Sequence, residues 1–189
     1  ADNLGAKKVA AMYDTGSDYS QGLADSFKAQ AEAKKLEMTA FEGYGAADTD
    51  FTSILNKIIA TNPDAIFVPD YYGDVSLILG QARAAGYTGA MLGGDGWDGV
   101  LGVMPADKMD ATNNGYFSNH YATADEAAAD FLTKYKNTYN LDGNAFAALG
   151  YDSAYIMAAA IAQAGSTDAD AIIAALAATD LECVTGHVT

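Results

Sequence analysis

The sequence predicts an α/β protein, a doubly wound parallel sheet followed by a helical segment. Two observations carry this. Short apolar runs alternate with amphipathic helical patterns from residue 8 to about residue 118, with short connections throughout. The alternation then stops, and three helical patterns follow with no clear strand between them. The chain has 189 residues, half of them apolar, enough for one sizeable α/β domain or one domain plus part of another.

Lys8 to Tyr13 is an apolar run of the kind that a strand buried on both faces requires. Asp18-Tyr-Ser-Gln21 reads as a capping box, and the helix it opens runs to Lys34 and Lys35, whose charges suit a helix C-terminus. Leu36 to Glu42 alternates as a second strand. Phe51, Ile54, Leu55, Ile58 and Ile59 share one helical face, and Asn62-Pro63 stops that helix. Ala65 to Val68 reads as a third strand; Val75, Ile78, Leu79 and Ala82 mark a third helix closed by Gly86. Ala90 to Leu92 and Tyr116 to Ser118 complete the strands. Right-handed crossovers would put helices on both sheet faces. Beyond this series, residues 124–139, 147–164 and 169–178 read as helices, with Phe131, Leu132 and Tyr135, then Ile156, Met157 and Ile161, then Ile172, Ile173 and Leu176 on their apolar faces.

Charge and composition narrow the function. With 25 acidic and 10 basic residues the net charge is -15, which leaves no clustered cations for nucleic acid or for an anionic membrane surface. Much of this acidity serves solubility. No apolar run reads as long enough to cross a bilayer, so no membrane insertion is expected, and no signal peptide opens the chain. Cys183 is the only cysteine, which precludes an intrachain disulfide and a multi-cysteine metal site; it reads as a small core residue. His120 and His187 lack metal-ligand spacing. There is no nucleophile elbow and no P-loop, and Gly43-Tyr-Gly45 follows the second strand without the third glycine of a dinucleotide fingerprint. No cofactor and no covalent chemistry are expected.

The candidate site residues lie where the strands end. In an open parallel sheet the carboxyl ends share one edge, and ligands bind there. Asp14 with Tyr19, Asp70 with Tyr71 and Tyr72, and Asp95 with Trp97 each follow a predicted strand. Carboxylates among aromatic rings point to something small and positively charged. An ammonium bonded to a carboxylate gains about 1.5–3 kcal/mol, and a phenol face over it adds roughly 0.5–2 kcal/mol. Plainer readings exist for each. Tyr19 also fits a surface tyrosine, Asp95 a turn aspartate in its Gly-rich loop, and Asp70 a helix N-cap. Asp74 is an equally good cap, which would free Asp70 and Tyr71 to face a cleft. Strand-end carboxylates could also serve a Mg-dependent receiver or phosphatase-like domain. No lysine follows the fifth strand, however, and Gly16 stands two residues after Asp14 where such a phosphatase would want a second aspartate.

The segment Tyr13-Asp-Thr-Gly-Ser-Asp-Tyr-Ser-Gln-Gly-Leu-Ala24 resembles the opening of the second lobe of type I periplasmic binding proteins, in the leucine/isoleucine/valine-binding branch of ABC importers. Asp70-Tyr-Tyr-Gly73, Gln81-Ala-Arg-Ala-Ala-Gly86, Gly93-Gly-Asp-Gly96 and Ala148-Leu-Gly-Tyr-Asp-Ser153 follow in that family's order and spacing. The resemblance covers nearly the whole chain. It implies an extracytoplasmic, bacterial amino-acid carrier that closes a cleft between two lobes, docks on an ABC permease and is no enzyme. Tyr19 and Tyr71 match ligand-contacting tyrosines, Asp95 the acidic residue that holds the α-ammonium, and Phe146 an aromatic of the side-chain pocket. Asp70, Tyr72, Trp97 and Tyr151 are secondary candidates. The resemblance also implies a division into a ligand-binding lobe over 1–119 and a helical segment over 120–189 belonging to another, largely missing lobe. The chain would then be a fragment, open to forming a homodimer through its unpaired helices. A sensing receptor ectodomain of the same lineage is the related alternative.

Overall fold

In the computed structural model, which describes residues 2–122 and 124–189, the chain divides into two units, the first ending at Ser118 and the second spanning Asn119–Thr189. The first contains the predicted doubly wound sheet. Its strands are β1 (Lys8–Asp14), β2 (Glu37–Tyr44), β3 (Ala65–Phe67), β4 (Ala90–Gly93) and β5 (Gly115–Phe117), all parallel in the order β2-β1-β3-β4-β5. The helices are α1 (Asp18–Ala33), α2 (Thr52–Ile59), α3 (Tyr72–Ala84) and the single turn α4 (Val100–Val103).

Successive strand residues point to opposite faces, and the two faces are unequal. Met12, Ile66, Val68 and Met91 meet Leu55 and Ile58 of α2 and Val75, Ile78 and Leu79 of α3 in the larger core. Val9, Ala65 and Ala90 meet Ala31 and Phe27 of α1 in a smaller one. Small strand side chains on that face let α1 lie close to the sheet.

The chain runs from β1 outward to β2 and then back across β1 to β3, so strand order reverses between β1 and β3. A parallel sheet opens a crevice at such a point, outside the carboxyl ends of the strands. The loops after β1 and β3 are residues 15–17 and 68–71, leading into the first turns of α1 and α3, and the loop after β4 lies one strand further along.

Two helix starts differ from expectation. The N-cap of α1 is Ser17, whose Oγ accepts the Ser20 N–H at 3.2 Å, while Asp18 occupies the first turn. Tyr71 is the N-cap residue of α3, and Asp74 likewise sits in the first turn. Both acidic residues face the positive end of a helix dipole without capping it.

Arg83, near the end of α3, ties the far edge of this unit together. Its guanidinium donates to the carbonyls of Tyr87 at 2.8 Å, Gly89 at 2.9 Å, Asn113 at 2.7 Å and Ala111 at 3.3 Å. Burial lowers its pKa from the ordinary arginine value. Because the planar fork reaches two loops at once, Arg83→Met is expected to cost about 2 kcal/mol in urea unfolding, and Arg83→Lys to recover little of it.

The second unit has α5 (Ala129–Tyr139), α6 (Ala145–Ala164) and α7 (Ala169–Leu176), then an antiparallel hairpin of β6 (Leu181–Cys183) and β7 (Gly186–Val188). Its core gathers Tyr121, Ala128, Phe131, Ala145 and Ala148. The expected helix over 124–139 begins with a 3-10 turn, Glu126–Ala128. The hairpin is unexpected, because its three-residue strands are too short to show a period. Asp152 of α6, only 4% exposed, secures the hairpin's turn by accepting the N–H groups of Val184 and Thr185, both at 2.9 Å, and the Thr185 hydroxyl at 2.8 Å. By length and composition α6 would pass for a bilayer-spanning helix, contrary to the sequence reading; its apolarity comes largely from alanines spread around the helix. Cys183 is half-buried in β6 rather than a core residue.

Candidate functional site

Three loops bring Tyr19, Tyr71 and Asp95 together. Tyr19 stands in the first turn of α1, and its hydroxyl donates to Asp95 Oδ1 at 2.9 Å. The same hydroxyl oxygen accepts the Gly96 N–H at 3.0 Å. Glycine is needed there, because a Cβ on residue 96 would lie 2.6 Å from the Asp70 carbonyl and 2.9 Å from the Tyr19 hydroxyl. The Tyr71 ring stacks on Tyr19, with centroids 4.9 Å apart and planes inclined by 25°. Tyr71 is 46% exposed and Tyr72 37%, so both phenols reach the surface.

Beneath these rings lies a layer of buried carboxylates. Asp14 accepts the Gly16 N–H at 2.8 Å, while its own N–H donates to Ser20 Oγ at 2.9 Å. Asp70 is 3% exposed; Oδ1 accepts the Tyr71 N–H at 2.7 Å, and Oδ2 accepts the Tyr44 hydroxyl. Asp70 therefore does not face the crevice, as the sequence had suggested, but supports the loop that does. Trp97 also differs from expectation. It is 2% exposed, donates its indole N–H to the Val68 carbonyl at 2.7 Å, and packs in the larger core below Gly93. Its apolar surface outweighs its place in a Gly-rich loop.

Tyr44, at the end of β2, is the component that sequence reasoning missed. The second strand was expected to stop at Glu42; it runs two residues further, pairing Gly43 with Tyr13 and Tyr44 with Asp14. That extension carries the Tyr44 phenol to the same sheet edge.

The electrostatics follow from this crowding. The Tyr19 phenol is raised well above the usual tyrosine pKa, first by burial and then by its bond to Asp95, with the Gly96 N–H opposing. Tyr44 is raised further, first by burial and then by the bond and charge of Asp70. The Asp74 carboxyl is raised by burial and by the charges of Asp70 and Asp14. The edge thus holds negative charge and neutral phenols, and would favour a cation. Since folding favours the neutral phenols, their contribution to stability is complete below the unfolded tyrosine value, near pH ~10, and is lost as pH rises through the higher folded values. In an absorbance titration at 295 nm, Tyr19 and Tyr44 are expected to ionise only together with alkaline unfolding.

Phe146 and Tyr151 lie on α6 in the second unit. Phe146 is half-buried in its first turn. Tyr151 joins a row of rings, 5.2 Å from Phe131 and 4.7 Å from Tyr155 between centroids. Among the described residues, no group of three or more His, Cys, Asp or Glu side chains is placed to hold a metal ion.

The family model described as periplasmic binding protein matches residues 1–189. The chain is similar to Leu/Ile/Val-binding protein homolog 3 of Brucella melitensis, 28% identical over 172 residues that cover 91% of this chain and 46% of that protein. Among solved structures it is similar to the leucine binding protein LivK of Thermotoga maritima, with TM-score 0.88 and 32% identity, covering 99% of this chain and 54% of that one. The branched-chain amino acid transporter substrate binding protein LivJ of Streptococcus pneumoniae, solved with isoleucine, gives TM-score 0.87 and 37% identity, covering all of this chain and 53% of that one. The chain therefore spans about half the length of the relatives it matches.

Proposed function

The chain belongs to the periplasmic binding protein family, and from that premise we propose that it supplies one ligand-binding lobe of an extracytoplasmic bacterial solute-binding protein. Its ligand is an amino acid, of the branched-chain type first, taken up in a cleft between lobes and delivered to an ABC permease. The helical second unit belongs to the opposing lobe, and Phe146 and Tyr151 on it are further candidate ligand contacts. In the 189-residue chain alone, exposed apolar side chains such as Tyr155 and Ile173 favour a homodimer.

The observation that carries this reading is the bond from the Tyr19 hydroxyl to Asp95, beneath a stacked Tyr71, at the carboxyl edge of the sheet. Tyr19 has given its only hydroxyl proton to Asp95, and a carboxylate can only accept. The Tyr19–Asp95 pair therefore offers acceptors, beside the Tyr71 ring face. It suits an ammonium, with three donors, and disfavours a carboxylate. A zwitterion would present its amino end here and its carboxylate to the opposing lobe.

The test is a thermal-shift panel of amino acids on the complete polypeptide that contains this chain, followed by calorimetry. A shift with leucine, isoleucine or valine, and none with the des-amino acid 4-methylpentanoate, supports the reading. Equal shifts with the des-amino acid, or none across the panel, contradict it. The 189-residue chain alone is expected to bind weakly, because half a clamp leaves one side of the ligand in water.

A further inference from the structure

Asp70 and Tyr44 touch none of the space above the stacked phenols, yet every element of the site is connected to them. The Asp70 carboxylate lies between β2 and the start of α3, nearly removed from water at 3% exposure. One oxygen takes the Tyr71 N–H at 2.7 Å and the other takes the Tyr44 hydroxyl. Its main chain is constrained as well, since the Asp70 N–H donates to the Val68 carbonyl at 3.0 Å. The Asp70 carbonyl sits so close to Gly96 that a single added carbon there would lie 2.6 Å from it. Gly96 in turn holds the Tyr19 hydroxyl, which holds Asp95. The loops after β3 and β4 thus meet at Asp70, whose carboxylate holds the first and whose carbonyl abuts the second, the loop after β1 joins them through Gly96, and Tyr44 bonds the carboxylate from the end of β2.

We propose that Tyr44 and Asp70 are positioning residues: they fix the Tyr71 backbone and the Gly96 turn so that the Tyr71 and Tyr19 rings and Asp95 are prearranged before ligand arrives. This rests on the proposed amino-acid reading of the same site. Prearrangement matters because ordering a loop and a rotamer-rich ring on binding subtracts from affinity. With both residues in place, that ordering is complete in the empty protein. Tyr44 acts only through Asp70, and Asp70 only through Tyr71 and Gly96.

The experiment uses the complete polypeptide and leucine calorimetry, with Tyr44→Phe, Asp70→Asn and Asp70→Ala, each also made in a Tyr71→Ala background. Tyr44→Phe removes one hydroxyl and is expected to weaken leucine binding about three- to tenfold, the range of one net hydrogen bond. Asp70→Asn can still accept the Tyr71 N–H and donate to the Tyr44 oxygen, so it recovers most of what Asp70→Ala loses. In the Tyr71→Ala background the loss from Tyr44→Phe should shrink, since the ring it positions is gone and only the route through Gly96 to Tyr19 and Asp95 remains, a coupling that a general loss of stability would not produce. The same fold loss with and without Tyr71 would overturn the proposal, as would Asp70→Asn binding as poorly as Asp70→Ala.

A second readout needs no ligand. In nitrogen–proton spectra of the empty protein, Tyr44→Phe should move the Tyr71 and Gly96 amides and speed their hydrogen exchange. Unchanged amides overturn the positioning role even where the protein binds leucine. A wild-type protein that binds no amino acid sinks the amino-acid reading instead, and these amides then decide the positioning role alone.

Discussion

Replacing Asp95 by alanine is expected to weaken leucine binding by the complete polypeptide about 10- to 150-fold, while the protein stays folded. The range is that of one charge-assisted hydrogen bond, about 1.5–3 kcal/mol. Two losses add in the same direction. The Tyr19 hydroxyl loses the acceptor it now has at 2.9 Å, and the ring on which Tyr71 stacks is held only by the Gly96 N–H. Asp95→Asn separates charge from geometry. An amide oxygen can still accept from Tyr19, so the phenols stay in place, but the negative charge is gone. Binding to Asp95→Asn should fall at least tenfold, and its salt dependence should fall with it. Calorimetry at two ionic strengths measures both. An Asp95→Asn protein that binds like wild type would remove the carboxylate from the account.

Trp97→Ala is expected to produce the largest loss of stability in the first unit, about 3–5 kcal/mol in urea unfolding. The ring is 2% exposed and fills the core between α3 and the β4 loop. Its removal leaves a cavity and takes from the Val68 carbonyl one of its two donors, the indole N–H at 2.7 Å, leaving the Asp70 N–H at 3.0 Å. Against a typical total of about 5–15 kcal/mol, this is enough to leave a substantial unfolded population under mild conditions. Trp97→Phe should cost less, since bulk is kept and only the indole N–H is lost. Trp97 is the chain's only tryptophan, so the wild-type fluorescence transition reports unfolding of this unit. The variants need circular dichroism instead. A small loss on Trp97→Ala would mean that the indole is not the core element described.

How far the sequence disclosed this depends on which force dominated locally. β1, β3 and β4 are legible because strands covered on both faces must be apolar throughout, and little else produces runs such as Ala65 to Val68. α2 is legible because Leu55 and Ile58 recur at helical spacing. The Tyr19, Tyr71 and Asp95 loops could be anticipated at one edge, since parallel strands leave no other place for them. Their hydroxyl–carboxylate bond could not, because it depends on a glycine approach that no spacing encodes.

The burial of Trp97 is illegible for a related reason. Polar and glycine neighbours suggest a surface loop, whereas the side chain alone decides to bury itself. Tyr44 was missed because Glu37, Thr39 and Glu42 make β2 read as a half-exposed strand ending early. The pairing of Tyr44 with Asp14 shows that continuing the alternation two residues would have found it. The β6–β7 hairpin had no periodic signal at all; a buried aspartate on another element holds it.

The most direct measurement is a crystal structure of the complete polypeptide with bound leucine. The account predicts the α-nitrogen within hydrogen-bond distance of Asp95, against the face of Tyr71, with Tyr19 still bonded to Asp95. A leucine whose carboxylate occupies that corner, or whose nitrogen lies away from Asp95 and Tyr71, would contradict it.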